Sequence, residues 1–235
     1  MKIRFFVDFD GTICLDDLGN KVFIELGNYE PYHKQLINKE ISIREYWHKL
    51  CESLNTTNSF NEIREIAKKS EIDYYFLEFY NWAQQSDYET CIVSDGFSIY
   101  IDEVLRKYGI REIKKFSNHL VIEGNKVLPY FPEAQEDCHC LSASCKRNIV
   151  LNNSDDDDLI VYIGDGYSDF CPAEYSDIVF AKKNLAAYCN EYKIPHYPYK
   201  NFFDVKMIMS DLIIKKKIKK RNVASIKRKN AFENE

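Results

Sequence analysis

In IRFFVDFDGT, residues 3–12, a mostly apolar run leads directly to Asp8, and Asp10 follows two positions later. Near-continuous apolar residues over this length predict a central parallel strand that is covered on both faces. Neighbouring carboxylates at a buried strand end cost free energy unless a cation or a reaction requires them. We therefore expect a chemical site at the end of this first strand.

Two later apolar stretches end in similar polar clusters. Residues 90–93 lead into Ser-Asp-Gly at 94–96, and residues 159–163 lead into Gly-Asp-Gly at 164–166. Helical patterns separate the strands, and this alternation predicts an α/β fold with a doubly wound, Rossmann-like parallel sheet. Ligands bind at the carboxyl ends of strands in such sheets, so we expect the polar clusters to meet at one site.

A helical segment interrupts this core after the first strand. Apolar residues recur at intervals of three and four positions between residues 15 and 86, which is typical of amphipathic helices. We predict a catalytic core at residues 1–14 and 87–214, a helical cap at residues 15–86 and a basic C-terminal tail at residues 215–235. A cap in this position is expected to exclude bulk water and to favour small substrates.

The residue types at the strand ends match the needs of phosphate-ester hydrolysis: a nucleophile, a cation, donors to the phosphate oxygens and an acid for the leaving group. Asp8 is the expected nucleophile, and Asp10 is the expected acid and, later, the base. Ser94 offers a hydroxyl group. The backbone amides around Asp95 and Gly96 precede a predicted helix, whose positive end favours anions.

The remaining requirement is positive charge. Asp8 and Asp165 are expected to hold Mg²⁺, because that ion prefers hard oxygen ligands. Asp169 is close enough in sequence to bind the same ion or to orient a water molecule on it. Lys146, near the start of a predicted helix, can hold the Asp8 carboxylate and a phosphate oxygen together. A non-catalytic metabolite-binding module is the rival interpretation, and it predicts loss of the nucleophile, the acid or the lysine.

The order of these segments resembles the haloacid dehalogenase superfamily of phosphatases. Its four motifs correspond here to DFDGT at 8–12, Ser94, Lys146 and GDGYSD at 164–169. The resemblance covers about residues 3–205, and the helical insert is similar to that of the phosphoserine phosphatase-like branch. It implies hydrolysis of a small-molecule phosphate ester through a phospho-aspartyl intermediate on Asp8, with Asp10 as acid and base. It also implies a Mg²⁺ site formed by Asp8, the Asp10 carbonyl and Asp165.

Further similarities bear on the substrate. The cysteine-rich run before Lys146 and residues 163–181 are similar to the methionine-salvage phosphatase that acts on 2-hydroxy-3-keto-5-methylthiopentenyl 1-phosphate. Ser94-Asp95 is similar to the phosphoethanolamine and phosphocholine phosphatases, in which the extra carboxylate can face a cationic head group. Asp95 can equally be a helix N-cap or a first-turn acid.

Cap residues are the other candidates for substrate recognition. Asp17 stands where phosphoserine phosphatases carry a glutamate that holds the substrate amine. Its alternative role is to cap a helix. Arg44 is either a specificity residue or a solvated side chain.

Composition sets the remaining expectations. The chain has 235 residues, of which 45% are hydrophobic and 29% charged, which is ordinary for a globular protein with a core and a smaller second domain. It contains no apolar run of about 18 residues and no signal-peptide pattern. We expect a cytoplasmic enzyme that does not bind a membrane, and the sequence specifies no oligomeric state.

The C-terminal residues 211–235 hold nine Lys and Arg against three Asp and Glu, within a net charge of −5. The rest of the chain is therefore acidic, which argues against nucleic-acid binding. We expect the tail to form a solvated, fraying helix rather than a polyanion site. A separate cluster consists of Cys138, His139, Cys140 and Cys145. We interpret it as a thiol-rich loop in preference to a metal site.

Overall fold

A seven-stranded sheet forms the core of the computed structural model, which describes residues 2–56, 58–134, 140 and 142–233. The strands are β1 (Ile3–Val7), β2 (Glu89–Phe97), β3 (Lys114–Glu123), β4 (Lys126–Tyr130), β5 (Leu159–Gly164), β6 (Ile178–Ala181) and β7 (Tyr197–Pro198). Their order across the sheet is β4-β3-β2-β1-β5-β6-β7. β3 and β4 pair antiparallel as a hairpin, whereas the other neighbouring strands are parallel. The predicted doubly wound α/β sheet is confirmed.

Helices connect the strands. Over the described residues they are α1 (Leu18–Leu26), α2 (Tyr29–Ile37), α3 (Ile43–Glu52), α4 (Ser59–Lys69), α5 (Phe76–Gln85), α6 (Ser98–Lys107), α7 (Lys146–Asn152), α8 (Phe170–Tyr175), α9 (Lys183–Glu191), α10 (Phe202–Ile214) and α11 (Asn222–Glu233). A 3-10 turn at Tyr167–Asp169 precedes α8. In this described part of the chain, no helix combines the length and the apolar character needed to cross a membrane.

The register of the sheet positions the candidate site. β1 is parallel to β2 on one side and to β5 on the other, and Val7 is level with both Ile92 and Ile163. The next residue, Asp8, donates its backbone amide to the Ile163 carbonyl at 2.9 Å. Because all three strands run in the same direction, the residues that follow them meet at one edge of the sheet.

Side chains along β1 alternate between two buried clusters. Phe5 packs edge to face against Phe79 of α5, with 5.1 Å between the ring centroids. Phe6 points to the other face, where it lies in a cluster with Val150 of α7 and Tyr162 of β5. Each such buried side chain contributes on the order of 2 kcal/mol to the free energy of unfolding. Burial on both faces explains why residues 3–7 are nearly all apolar.

The helices α1–α5 form the insert between β1 and β2. α4 packs against α6, and α3 packs against β4, so these two helices rest on the β2–β4 side of the molecule. α5 instead lies against the sheet and against α10, where Phe76 contacts Phe202 at 4.9 Å between ring centroids. The insert therefore combines two helices on the β2–β4 side of the molecule with one helix that covers the sheet.

β2 is longer than the predicted strand at 90–93. It continues to Phe97, and its register with β3 shifts between Val93 and Phe97. The side-chain amide of Asn118 donates to the Asp95 carbonyl at 2.7 Å within this irregular segment. Residues 94–96 therefore lie in a distorted part of the strand and not in a loop after it.

The basic C-terminal segment is docked on the core through α11, so the expectation of a solvated, fraying helix is wrong for the part that packs there, whereas Lys215, Lys216 and Lys217 are exposed as expected. α11 packs against α8, and Arg228 is 8% exposed. The Arg228 guanidinium lies 3.0 Å from Asp177 Oδ1, and the Arg221 guanidinium donates to the Ala173 carbonyl at 2.8 Å. Acceptors at the end of α8 thus bind arginines that the sequence alone assigns to solvent.

The cysteine cluster is described only in part. Cys138 and His139 lie outside the described residues. Cys145 is buried and is the N-cap residue of α7. The backbone amide of Cys145 donates to the Glu133 carbonyl at 2.9 Å, which ties the start of α7 to the segment after β4.

Candidate active site

Lys146 joins two aspartates at the carboxyl edge of the sheet. Its Nζ atom lies 2.6 Å from Asp8 Oδ1 and 2.7 Å from Asp169 Oδ1, and all three side chains are buried. Lys146 is the first residue of α7, Asp8 follows β1, and Asp169 ends the 3-10 turn after β5. The fold thus brings together charged residues that are distant in the sequence.

Both oxygens of Asp169 accept hydrogen bonds. The Tyr162 hydroxyl donates to Oδ1 at 2.7 Å, and the backbone amides of Asp165 and Gly166 donate to Oδ2 at 2.9 Å each. A Cβ atom on Gly164 would overlap the Asp169 carboxylate, so the close approach requires glycine there. Asp169 therefore fixes the backbone segment that presents Asp165.

Asp165 faces the first strand. Its Oδ2 atom lies 2.7 Å from Nζ of Lys183, and the Thr12 hydroxyl donates to its Oδ1 at 3.5 Å. Gly11 has φ +71°, and a Cβ atom there would overlap the Asp165 carboxylate. The glycine of the first motif is therefore needed both for a left-handed turn and for space beside Asp165.

Negative charge is concentrated at this site. Asp8, Asp165 and Asp169 each offer an oxygen atom, and these atoms all lie within 4.8 Å of one another. Burial raises the pKa of Asp8 well above its ordinary value, and the charges of Asp169 and Asp165 raise it further against the opposing effect of Lys146. Burial alone would lower the pKa of Lys146, but Asp169 and Asp8 hold it above its ordinary value.

These carboxylates fit a divalent cation. An added positive charge among them would favour their ionised forms, which desolvation and mutual repulsion now disfavour. Hard oxygen ligands of this kind suit a small cation such as Mg²⁺ better than a thiophilic one. The donor set therefore fits a divalent metal ion.

Asp10 is held by two donors from different helices. The backbone amide of Leu18 donates to Oδ1 at 2.9 Å, and the Tyr100 hydroxyl donates to Oδ2 at 3.2 Å. Burial raises the pKa of Asp10 to about 8, with a smaller contribution from the charge of Asp17, although the two hydrogen bonds act in the opposite direction. This upward shift of the pKa favours the protonated form that a general acid requires.

Ser94 and Gly96 lie at the carboxyl end of β2, and both are buried. The Ser94 hydroxyl oxygen accepts a hydrogen bond from the Gly96 backbone amide at 3.0 Å. A Cβ atom on Gly96 would lie 2.6 Å from Asp10 Oδ2. The second motif is therefore in direct proximity to the first.

Asp95 contacts the chain just before α7. Its Oδ1 atom accepts hydrogen bonds from the backbone amides of Ala143 at 2.9 Å and Ser144 at 3.1 Å. The N-cap of α6 is Phe97, and Asp95 lies two residues before it. The helix-cap interpretation of Asp95 is therefore wrong, because its carboxylate binds amides of a different segment.

The two predicted cap residues occupy different positions. Asp17 is the N-cap of α1, where its Oδ1 accepts from the Asn20 backbone amide at 2.9 Å. Its charge also acts on Asp10, so Asp17 belongs to the surroundings of the site. Arg44 lies half-buried in the first turn of α3, and its contact with substrate stays a prediction.

Sequence reasoning missed three residues that contact the predicted aspartates: Tyr100, Tyr162 and Lys183. Tyr162 had a signal, since a tyrosine inside the apolar strand β5 requires a partner for its hydroxyl. Lys183 lies two residues after the end of the buried strand β6 and is the first residue of α9. Tyr100 has the spacing of an ordinary core residue of α6, so only the tertiary structure identifies it.

The geometry suits nucleophilic displacement at phosphorus. A buried carboxylate is held by a lysine, a second carboxyl group has a raised pKa that favours its acid form, and a set of carboxylates can bind a cation. These are the components that a covalent phosphoryl-transfer reaction requires.

Comparison with known proteins agrees with this interpretation. A family model described as Putative Phosphatase matches residues 3–196. The chain is 25% identical over 215 residues to the 2-hydroxy-3-keto-5-methylthiopentenyl-1-phosphate phosphatase of Brevibacillus brevis, covering 90% of this chain and 96% of the relative. It is 27% identical over 223 residues to the protein of the same description from Lysinibacillus sphaericus, covering 91% of this chain and 96% of that relative.

Solved structures share the fold. A phosphoserine phosphatase with an analogue of the phospho-aspartyl intermediate superposes with a TM-score of 0.62 at 17% identity, covering 85% of this chain and 94% of the other. Cytosolic 5'-nucleotidase IIIB bound to cytidine superposes with a TM-score of 0.60 at 18% identity, covering 91% and 86% of the two chains.

Proposed function

Because the chain belongs to the Putative Phosphatase family and is a phosphoric monoester hydrolase of the haloacid dehalogenase superfamily, we propose that it hydrolyses a small-molecule phosphate ester through a phospho-aspartyl enzyme. The observation that carries this proposal is the buried cluster of Asp8, Asp165 and Asp169 at Lys146. Asp8 is the nucleophile, because it follows the central strand and contacts the lysine directly.

In the first step, a carboxylate oxygen of Asp8 forms a bond to phosphorus while the bond between phosphorus and the leaving oxygen breaks. Asp10 transfers its proton to that oxygen, so the alcohol departs neutral. The Ser94 hydroxyl and the amides around Asp95 and Gly96 donate to the phosphate oxygens. These donors stabilise the charge that develops during the transfer.

In the second step, Asp10 acts as a base. It removes a proton from a water molecule whose oxygen attacks phosphorus, and the bond between phosphorus and Asp8 breaks. Inorganic phosphate leaves, Asp8 is again a carboxylate, and Asp10 is again protonated. Lys146 stays paired with Asp8 and offsets part of the negative charge throughout.

The proposed cofactor is Mg²⁺, held by the carboxylates of Asp8 and Asp165 and by the backbone carbonyl of Asp10. When bound, it supplies positive charge that reduces the repulsion between the Asp8 carboxylate and the phosphate. Asp169 was a further candidate ligand. Because its oxygens accept hydrogen bonds from Lys146, Tyr162 and the Asp165–Gly166 backbone, we assign it the role of holding this segment in place.

The cap proposed at residues 15–86 contributes the entrance of the site. Its helix α1 begins beside Asp10. The backbone amide of Leu18 donates a hydrogen bond to the Asp10 carboxyl group, and the charge of Asp17 raises the pKa of that group. Asp17 and Arg44 are the proposed substrate contacts from this segment. A cap over the strand ends favours a small ester over a phosphorylated protein.

The proposed substrate is an ester of the methionine-salvage type, because curated relatives that align with about nine-tenths of this chain are 2-hydroxy-3-keto-5-methylthiopentenyl-1-phosphate phosphatases. Amine-bearing esters such as phosphoethanolamine, phosphocholine and phosphoserine are the alternative. The fold similarity to phosphoserine phosphatases does not favour them, since it reports the fold alone.

Phosphate release from a panel of small esters tests the proposal. The panel contains the methionine-salvage ester, the three amine-bearing esters and a phosphopeptide, each assayed with Mg²⁺ and with EDTA. We expect Mg²⁺-dependent hydrolysis of a small ester that the Asp8→Asn variant lacks. Preferential hydrolysis of the phosphopeptide would contradict the small-substrate proposal, and equal activity of the variant would contradict the role of Asp8.

A further inference from the structure

We propose that Tyr100 is a positioning residue for the acid, whose hydroxyl holds the carboxyl group of Asp10 in the orientation that protonates the leaving group. This inference rests on the proposed function, since it assigns a role within the same reaction. Tyr100 lies outside the four sequence motifs. The structure alone brings it to Asp10.

The contact is well defined. Tyr100 is the third residue of α6 and is 1% exposed, and its hydroxyl oxygen lies 3.2 Å from Asp10 Oδ2. A tyrosine hydroxyl carries one proton, and Asp10 Oδ2 accepts it in this hydrogen bond.

Asp10 is restrained at both oxygens by this arrangement. The Leu18 amide of α1 binds Oδ1 at 2.9 Å, and Tyr100 of α6 binds Oδ2. Rotation of an aspartate carboxyl group about its last side-chain bond is otherwise broad. Two donors from two helices fix that rotation, which is the preorganisation that proton transfer to a departing oxygen requires.

The surrounding backbone leaves room for the hydroxyl. A Cβ atom on Gly96 would overlap the Tyr100 hydroxyl, and one on Gly19 would lie 3.4 Å from it. Glycine in the second motif therefore makes space for the contact between Tyr100 and Asp10. This explains why glycine is required at position 96, apart from any donation by its backbone amide.

The simpler explanation is that Tyr100 is a core residue whose buried hydroxyl needs any acceptor. Its ring packs edge to face with Phe97 at 6.4 Å between centroids, as a core aromatic would. A purely structural role predicts that loss of the hydroxyl weakens hydrolysis of every substrate equally. A positioning role predicts a loss that depends on how much the leaving group needs a proton.

The test compares two esters in one preparation of Tyr100→Phe. An alkyl phosphate has a poor leaving group that requires protonation, whereas the nitrophenolate of p-nitrophenyl phosphate departs as a stable anion. We measure kcat/KM, which includes only steps through departure of the leaving group. We expect a loss of about tenfold for the alkyl ester and less than about twofold for the aryl ester. The ratio of the two does not depend on the fraction of folded protein.

Tyr162→Phe is the matched control. It removes a hydroxyl from another buried tyrosine, but that hydroxyl binds Asp169 and not Asp10. We expect its effect on the two esters to be equal. An unchanged ester ratio in Tyr100→Phe would overturn the inference while leaving the proposed function intact. Absence of Asp8-dependent hydrolysis of either ester by the wild type would overturn the proposed function and this inference with it.

Discussion

Lys146 and Asp8 form a buried ion pair, with 2.6 Å between Nζ and Oδ1, at the end of the central strand. Lys146 is 1% exposed and Asp8 is 5% exposed, so bulk water solvates neither charge. The same Nζ atom also contacts Asp169 at 2.7 Å. Removal of the lysine would therefore leave two carboxylates buried without their cationic partner.

Lys146→Met tests this relationship, because methionine has a similar length and no charge. We expect the free energy of unfolding to fall by about 3 kcal/mol, since unpaired charge remains buried. We expect kcat to fall by about a hundredfold or more, because the charge that offsets the attacking carboxylate is lost. Urea unfolding and steady-state kinetics measure the two effects.

Lys183→Met provides the control for stability. Its side chain is 60% exposed although it lies 2.7 Å from Asp165, so we expect a stability change below about 1 kcal/mol. Equal destabilisation by the two substitutions would show that burial does not govern the contribution of Lys146.

Binding of Mg²⁺ is expected to stabilise the protein against heat. An ion that binds the folded state at a concentration about 100 times its Kd adds about 2.7 kcal/mol to the free energy of unfolding. Asp165→Asn removes a proposed ligand and should abolish the increase in Tm that Mg²⁺ produces relative to EDTA. Asp17 is exposed and lies outside the proposed ligand set. The Asp17→Asn variant should therefore keep the increase in Tm that Mg²⁺ produces. A full Mg²⁺ effect in Asp165→Asn would exclude Asp165 as a ligand.

Asp95 distinguishes anchoring of a backbone segment from recognition of an amine. Asp95→Asn keeps an oxygen that can accept from the amides of Ala143 and Ser144, whereas Asp95→Ala leaves both amides without that acceptor. Each buried unsatisfied amide costs about 1–3 kcal/mol, so we expect only the alanine variant to lose stability and turnover substantially.

The two roles of Asp95 predict different kinetics. If its charge bound a cationic head group, Asp95→Asn would raise KM for phosphoethanolamine and phosphocholine but not for esters without an amine. We expect instead that Asp95→Asn has the same effect on KM for esters with an amine and for esters without one. A selective increase for the amine-bearing esters would instead support the similarity to the phosphocholine phosphatases.

The docked C-terminal helix should contribute stability without contributing to catalysis. Arg228 binds Asp177 Oδ1, while Asp177 Oδ2 accepts from the Ile160 backbone amide of β5 at 3.0 Å. Arg228→Met leaves Asp177 buried without this cation, so we expect the free energy of unfolding to fall by about 3–5 kcal/mol. Below the melting temperature, kcat should equal that of the wild type.

The neighbouring Lys229 supplies the control, since its side chain is exposed. Lys229→Met should change the free energy of unfolding by less than about 0.5 kcal/mol. An Arg228→Met variant as stable as this control would mean that the C-terminal helix is not held by the Arg228–Asp177 pair.

Much of the fold could be predicted from local patterns. The apolar run at residues 3–7 specifies a strand buried on both faces, and the aspartates that follow specify where its polar end lies. The order of strands and helices then determines the parallel sheet, because crossover connections in such sheets have few alternatives. These are properties of short segments, so one sequence is enough to recognise them.

Other features depend on contacts between distant segments. Asp95 lies 48 positions from Ala143, and Tyr100 lies 90 positions from Asp10. Neither pair has a local signature, since a tyrosine in α6 and an acid near a helix start both fit ordinary local roles. The docking of Arg228 cannot be predicted for the same reason. The sequence of a basic, polar helix indicates a solvated helix unless its acceptors on the core are known.

The phospho-aspartyl mechanism is tested by locating phosphate on the enzyme during turnover. Wild-type protein is mixed with a hydrolysed ester and Mg²⁺, quenched in acid within one turnover, and digested for peptide mapping by mass spectrometry. We predict a phosphoryl adduct on Asp8 that is absent from Asp8→Asn. Full turnover without an adduct on Asp8, together with an active Asp8→Asn variant, would contradict the proposed mechanism.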